Sequence, residues 1–329
     1  MNPDSKDSLN KSKTARGIFF TLAGGTMWGF SGTCGQYLFT YKNLDSAWVT
    51  VTRMICAGII LLVLAFIKQR KEMKEIMQDK RDRRQLFIFS IFGLMFCQYS
   101  YMTAISHSNA GTATVLQYLG PVLIMIVSCF MAKKLPSGRE VFAIILAVAG
   151  TFLLATHGNI HSLVISNLGL AWGLLSAVAL MSYTMLPEKI IGRWGSTVVT
   201  GYGMLIGGIF LFFATRYWTV RVTFDLGTVL GLAAIVLIGT ALSFTLYLQG
   251  VSDIGSVKAS MLACIEPVSA TVISALWLGT DFTVMDFAGL AAIITTVLLL
   301  TQRKGGDERD SRAVSLFHDI SGCESTSFS

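Results

Sequence analysis

Glu266 stands directly before Pro267, near the centre of a long apolar run from Val257 to Leu278. A carboxyl group at the midplane of a spanning helix costs about 2.5 to 3.5 kcal/mol on insertion scales and marks a substrate or proton path by default. Three states are open to it: a buried acid satisfied by a partner, a protonated acid, or a carrier of a proton or a cationic group. Arg53 is the other ionisable residue inside an apolar run. It sits close enough to the outer end of its helix to snorkel to the headgroups, or to serve as an outer binding residue for a carboxylate.

Neighbouring polar faces extend the candidate path. On a 3.6-residue period, Thr21, Gly24, Trp28, Ser31 and Gly35 share one face, and Trp172, Ser176, Ala179 and Tyr183 share another. Gln98 with Tyr101, Thr114 with Gln117, Pro121 and Ser128, and Thr240 with Ser243 and Tyr247 form further stripes. Small residues and hydroxyls on such stripes let helices approach closely. Trp28, Gln98, Tyr101, Gln117, Tyr183 and Tyr247 ask for more, because Tyr and Trp favour the interfacial belts and a mid-membrane amide needs a partner. Together with Ser243, Arg53 and Glu266 they are the expected substrate-binding or proton-carrying set.

Other chemistries lack their residues. No GxxxxGK[ST] motif is present, and no Ser, His and Asp constellation marks a catalytic site. His157 and His161 are spaced four apart but lack nearby acids or thiols, so they read as loop residues and no metal is expected. Six scattered cysteines suggest neither a disulfide framework nor a zinc site. The reading is therefore a non-enzyme without cofactors.

The elements that must hold these residues are apolar helices. With 53% hydrophobic and 14% charged residues over 329 positions, and a mean hydropathy of +0.62, the chain reads as a polytopic membrane protein. Runs start near Gly17, Trp48, Leu86, Thr112, Val141, Asn167, Thr197, Leu226, Val257 and Val284, which predicts ten spanning helices. All of the 26 Lys and Arg except Lys42, Arg53, Arg216 and Arg221 fall in the N-terminal tail, the even-to-odd loops or the C-terminal tail, which predicts cytoplasmic termini. The net charge of +7 is thus a topology signal; the basic stretch Lys68 to Arg84 lacks interleaved aromatics, so no nucleic-acid partner is expected.

Sliding the chain against itself by 146 residues aligns Gly93 with Gly239, Tyr101 with Tyr247, Ala113 with Ala259 and Pro121 with Pro267. Two of only five prolines coincide mid-helix. This predicts a duplicated five-helix unit: a tail 1–16, a first repeat 17–156, an outer connecting loop 157–166, a second repeat 167–301 and a disordered cytoplasmic tail 302–329. Because five is odd, the second unit enters the membrane inverted, as in many secondary transporters. Each proline frees a carbonyl four residues earlier, on Gln117 and Ala263, so a kink is expected in both helices, with a central cavity between them.

The pattern resembles the EamA type of the drug/metabolite transporter superfamily. The resemblance spans roughly Gly17 to Thr301 and is carried by Trp28-Gly29, Arg53, the stretch Tyr101 to Ala113 ahead of Gly120-Pro121, Gly239-Thr240-Ala241, Tyr247 and Glu266-Pro267. The acid such carriers often show after the fourth and ninth helices is missing, with Lys134 and Thr280 near those places. The resemblance implies a multi-pass inner-membrane carrier that moves small metabolites or amino-acid-like solutes, by export or facilitated flux, through a cavity formed by the first, third, fourth, sixth, eighth and ninth helices. The partners so implied are a small-molecule substrate and the lipid bilayer. Proton coupling at Glu266, the direction of flux and the oligomeric state stay open, as does a non-transporting scaffold or sensor whose tail recruits a cytoplasmic partner.

Overall fold

A computed structural model describes residues 3–131, 133, 135–158, 165–254, 259 and 262–301. The tail 302–329, His161, Lys134 and the start of the ninth apolar run at Val257 lie outside the described residues, as does the side chain of Ser128. The described residues are helical or in short connections. The helices are α1 (Pro3–Thr40), α2 (Ser46–Lys68), α3 (Arg70–Gln78), α4 (Lys80–His107), α5 (Ala110–Gln117), α6 (Gly120–Met131) and α7 (Gly138–Thr156). In the second half are α8 (Asn167–Met185), α9 (Glu188–Trp194), α10 (Ser196–Ala214), α11 (Leu226–Ala233), α12 (Ser243–Ile254), α13 (Ile265–Leu278) and α14 (Val284–Thr301).

Several starts follow from capping residues written in the sequence. Asp45, Asn109 and Asp225 accept hydrogen bonds from the backbone N–H groups of Trp48, Thr112 and Thr228, each at 2.8 Å, and Ser137 with Glu140 forms a capping box ahead of α7. These side chains satisfy donors that a helix start leaves open. The segment before Gly17, expected as a tail, continues α1 as helix from Pro3.

Seven helical stretches are long and apolar enough to cross a bilayer, and two shorter apolar helices, Ile265–Leu278 and Val284–Leu299, accompany them. With the long α1 they make an all-helical polytopic membrane protein of about nine to ten apolar helices. Apolar side chains such as Ile59, Val63 and Phe66 on α2 and Phe142, Ile145 and Val148 on α7 point outward, whereas Thr33, Gln36, Gln98 and Gln117 are buried. Polar groups inside and hydrocarbon outside is the arrangement a lipid solvent selects.

Counterpart helices of the two halves meet. α2 packs along α10, and α7 along α14. α1 lies against α12 and α13 of the second half, and α8 lies against α4, α5 and α6 of the first. The contacts of α1 are backbone-close: a Cβ on Gly29 would stand 2.7 Å from both the Ala270 nitrogen and the Glu266 carbonyl oxygen. Glycine there lets the two helices touch.

Two irregularities recur at matching places. The stretches Phe89–Met95 within α4 and Ala234–Leu242 between α11 and α12 are π-helical, and they carry Gly93 and Gly239, the aligned pair. A π-turn inserts an extra residue and re-aims the side chains around it, which is why such turns gather at functional sites. The chain is also broken between α5 and α6, at Tyr118-Leu119, and ahead of α13, at Cys264. The expected kinks are therefore helix breaks. Pro121 and Pro267 lie in the first turns of the helices that follow, so the missing N–H falls at a break in the ladder rather than inside a continuous helix.

Candidate functional site

Glu266 occupies the first turn of α13, just past the break at Cys264. The Tyr118 hydroxyl stands 3.0 Å from its Oε2 and donates to the Ala263 carbonyl at 2.8 Å. Ala263 is the residue whose carbonyl Pro267 cannot serve, so a tyrosine from the broken fourth apolar run supplies the missing donor. A phenol carries one hydrogen. Both contacts are satisfied together when Glu266 itself carries a proton and donates it to the Tyr118 oxygen.

Arg53 lies on the interior face of α2 and is only 5% exposed, so it does not snorkel to the headgroups. Its Nε donates to Thr240 Oγ1 at 3.0 Å, while its Nη1 is buried without a hydrogen-bond partner. Thr240 is within the second π-stretch and donates its own hydroxyl to the Ile235 carbonyl five residues back, at 2.9 Å. The irregular turn thus leaves Thr240 Oγ1 facing the guanidinium as an acceptor.

Arg53 and Glu266 interact electrostatically, and Cys97 and Tyr101 interact with both. Tyr247 and Cys264 also feel Glu266. The Tyr101 hydroxyl donates to Thr114 Oγ1 at 2.7 Å, since Thr114 spends its own hydrogen on the Ala110 carbonyl. Gln117 donates to Cys97 Sγ at 3.7 Å. The Trp28 ring packs on Phe244 and Tyr247, with centroids 5.2 and 4.8 Å away. Tyr183 lies against Phe89 and within electrostatic reach of Cys97 and Tyr247. Ser243 is fully buried and donates to the Thr240 carbonyl at 3.2 Å, closing the turn rather than facing Glu266. Gln98 is buried on α4, next to Cys97.

Residues from seven helices, α1, α2, α4, α5, α8, α12 and α13, thus come together in one interior region built around an acid, a base and four tyrosines. Tyr118 was not among the expected residues, although its place beside Gln117 and three residues before Pro121 was a usable signal. A second polar cluster also went unexpected: Gln36 accepts from the Ala110 N–H at 2.9 Å and from Ser274 Oγ at 3.2 Å, and donates to Thr280 Oγ1 at 2.8 Å. Among the described residues no group of three or more metal-ligating side chains occurs, and His157 is engaged with Asp286 at 3.0 Å.

A model of the EamA-like transporter family matches the chain twice, over residues 15–156 and 167–302. The chain belongs to the EamA-like transporter family. As an EamA protein it is a membrane transporter, and the family consists of carriers rather than enzymes. The uncharacterized inner membrane transporter YicL of Salmonella typhimurium is 38% identical over 290 residues, covering 88% of this chain and 96% of its own. The transporter YetK of Bacillus subtilis is 25% identical over 260 residues, covering 77% of each chain. A crystal structure with 14% identity superposes with a TM-score of 0.59, covering 88% of this chain and 96% of that one, a likeness of fold alone.

In this EamA transporter the duplication is broken where charge sits. Shifting by 146 residues places Gly120 opposite Glu266 and Val199 opposite Arg53, while Tyr101 and Tyr247 are kept on both sides. The two family-matched segments therefore contribute unequally to the site: Arg53 comes from the first and Glu266 from the second.

Proposed function

We propose that this chain is a secondary carrier of the inner membrane. Two inverted five-helix halves, 17–156 and 167–301, with cytoplasmic termini, move a small metabolite or amino-acid-like solute by alternating access, through export or facilitated flux. The observation that carries this reading is the Glu266 carboxyl group held by Tyr118 beside the unmade hydrogen bond of Pro267. An acid at that depth is retained for what it binds. The broken helices support it, because discontinuous helices at matching depth commonly hold the substrate of inverted-repeat carriers. Trp28, Tyr101, Tyr183, Gln117 and Gln98 line the path, Pro121 and Pro267 mark its hinges, and the inner-membrane relative YicL is consistent with the location.

The test is flux of a pooled metabolite mixture in proteoliposomes, read by mass spectrometry, for wild type and Glu266→Gln, with and without a pH gradient. Selective movement of a few solutes that is lost, or made insensitive to pH, in the variant supports the carrier. Unchanged flux and pH response in Glu266→Gln removes Glu266 from the mechanism, and no movement by folded protein overturns the carrier itself.

A further inference from the structure

Three buried side-chain polar atoms among the described residues have no hydrogen-bond partner: Ser31 Oγ, Arg53 Nη1 and Gln69 Oε1. The first two border the same π-turn, at its adjacent residues Gly239 and Thr240. Arg53 is bonded to Thr240, and Ser31 lies so close to the preceding residue, Gly239, that a Cβ there would overlap the Ser31 side chain. A guanidinium nitrogen and a hydroxyl, both donors, both buried and both unspent, are costly to keep unless something accepts from them. No ion pair among the described residues involves Arg53.

The charge balance says what that acceptor is. With Glu266 protonated, the state in which Tyr118 satisfies both of its contacts at once, the interior region carries the single positive charge of Arg53. The titratable groups that interact with Glu266 are Tyr118, in contact with it from the break after α5, and, through electrostatics, Cys97 and Tyr101 from α4, Tyr247 from α12, Cys264 from its own segment and Arg53 from α2. Arg53 is the cation in that set. A buried guanidinium is matched by a carboxylate that accepts from two donors at once.

We propose that Arg53 Nη1 and Ser31 Oγ form the binding site for the carboxylate of a monoanionic solute, and that the ionised Glu266 side chain competes with that carboxylate for Arg53. The proposal rests on the carrier reading above and adds the charge of its cargo. Proton and charge balance follow directly. The solute binds when Glu266 holds a proton, giving a neutral loaded site. Loss of the proton to water leaves a Glu266 carboxylate, which takes Arg53 and releases the solute anion, giving a neutral empty site. Proton and anion therefore enter and leave together, and the coupled movement is electrically neutral. Trp28, Phe244 and Tyr247 beside the site suit a solute with an apolar body.

The experiment uses three probes of one shape and different charge: benzoate, benzamide and benzylamine, bound to the purified full chain by equilibrium dialysis at mildly acidic and mildly alkaline pH. Wild type is expected to prefer benzoate and to bind it about tenfold or more weakly at the alkaline pH, the scale of a typical coupling between sites. Ser31→Ala is expected to weaken benzoate severalfold with the pH dependence intact, and Arg53→Gln to abolish its preference over benzamide. Glu266→Gln, an uncharged stand-in for the protonated acid, should bind benzoate equally well at both pH values. If Arg53→Gln fails to elute as folded protein, Ser31→Ala and Glu266→Gln carry the test. Equal binding of all three probes, a preference for benzylamine, or no benzoate binding by folded wild type overturns the anion site. Wild-type pH dependence surviving in Glu266→Gln overturns the competition. Selective flux of cationic or neutral solutes in the proteoliposome experiment, with no benzoate preference here, would sink this proposal and leave the carrier standing.

Discussion

The hydroxyl of Tyr118 closes a gap that Pro267 opens: it donates to the Ala263 carbonyl at 2.8 Å and stands 3.0 Å from Glu266 Oε2. One side chain therefore both repairs a broken helix and holds the acid, and the two roles can be separated by mutation.

Tyr118→Phe keeps the ring and removes the hydroxyl. It should leave the Ala263 carbonyl and the Glu266 carboxyl group without their partner and lower stability by about 1 to 3 kcal/mol, the cost of an unsatisfied buried polar group. Adding Pro267→Ala restores an N–H for Ala263, so the double variant should recover part of that loss. Thermal unfolding in detergent checks both. Equal stability of wild type and Tyr118→Phe would mean that the hydroxyl repairs nothing.

Gly29→Ala should be harmful far beyond its size. The added methyl would meet the Ala270 nitrogen and the Glu266 carbonyl oxygen, each 2.7 Å away, and backbone cannot step aside as a side chain can. Overpacking of this kind costs roughly 1 to 3 kcal/mol and would push α13, with Glu266, away from α1. Gly192→Ala, where nothing lies within 4 Å of the new methyl, is the control and should be near neutral. Melting temperatures of the two variants decide the matter.

α1 and the residues just after it are fastened to the two ends of the α11–α12 segment. Arg16 makes a two-pronged ion pair with Asp253, at 2.8 and 2.9 Å, and Lys42 pairs with Asp225. The two segments should move as one body. Joining residues 16 and 253, or 42 and 225, as cysteine pairs with a short thiol cross-linker should leave proteoliposome flux close to that of the uncross-linked protein. Flux arrested by either link would show that α1 slides on its neighbour during transport.

The Lys42–Asp225 clasp also carries a pH prediction. The hydrogen bond from Lys42 holds the Asp225 carboxyl well below the usual carboxylate range, helped by Thr228, and the same contact raises Lys42. A depressed acid contributes stability above its unfolded value, near pH 3.9 on the reference scale, and loses it only as pH falls through the still lower folded value; both partners thus stay charged through mild acid. Asp225→Asn should therefore leave the pH profile of flux unchanged between mildly acidic and neutral conditions. A profile that shifts in this variant would mean that Asp225, rather than the interior acid, reports proton coupling.

Trp28 packs edge and face on Phe244 and Tyr247, contacts worth about 0.5 to 1.5 kcal/mol per aromatic pair beyond their buried area. Trp28→Ala should weaken solute binding more than it weakens folding, because α1 is held by its glycine contacts on α13 as well. Comparing the shift in dialysis affinity with the shift in melting temperature tests this; equal losses would make Trp28 a packing residue only.

Much of the architecture was legible because lipid imposes a simple code. Apolar runs near twenty residues follow from local rules and mark the membrane-crossing helices. The paired glycines and prolines at a spacing of 146 announced the duplication, yet Pro121 and Pro267 were expected to kink helices that in fact break three residues upstream. Arg53 shows the limit more sharply. Its distance from a helix end allowed snorkelling, and only the packing of α2 against the π-turn turned it inward. Tyr118 is absent from the expected set and Ser31 reads there as a packing residue; what singles them out is which atoms face them.

Residue type and periodicity by themselves determined that this chain crosses a membrane many times and repeats its own plan, since each of these is a property of short windows or of self-alignment. The tertiary structure decided which side chains share a space. Glu266, Tyr118 and Ala263 span 148 positions, and Arg53 and Thr240 span 187. Contacts at such separation are set by how helices pack, and by two irregular turns whose effect on side-chain direction no 3.6-residue period can foresee.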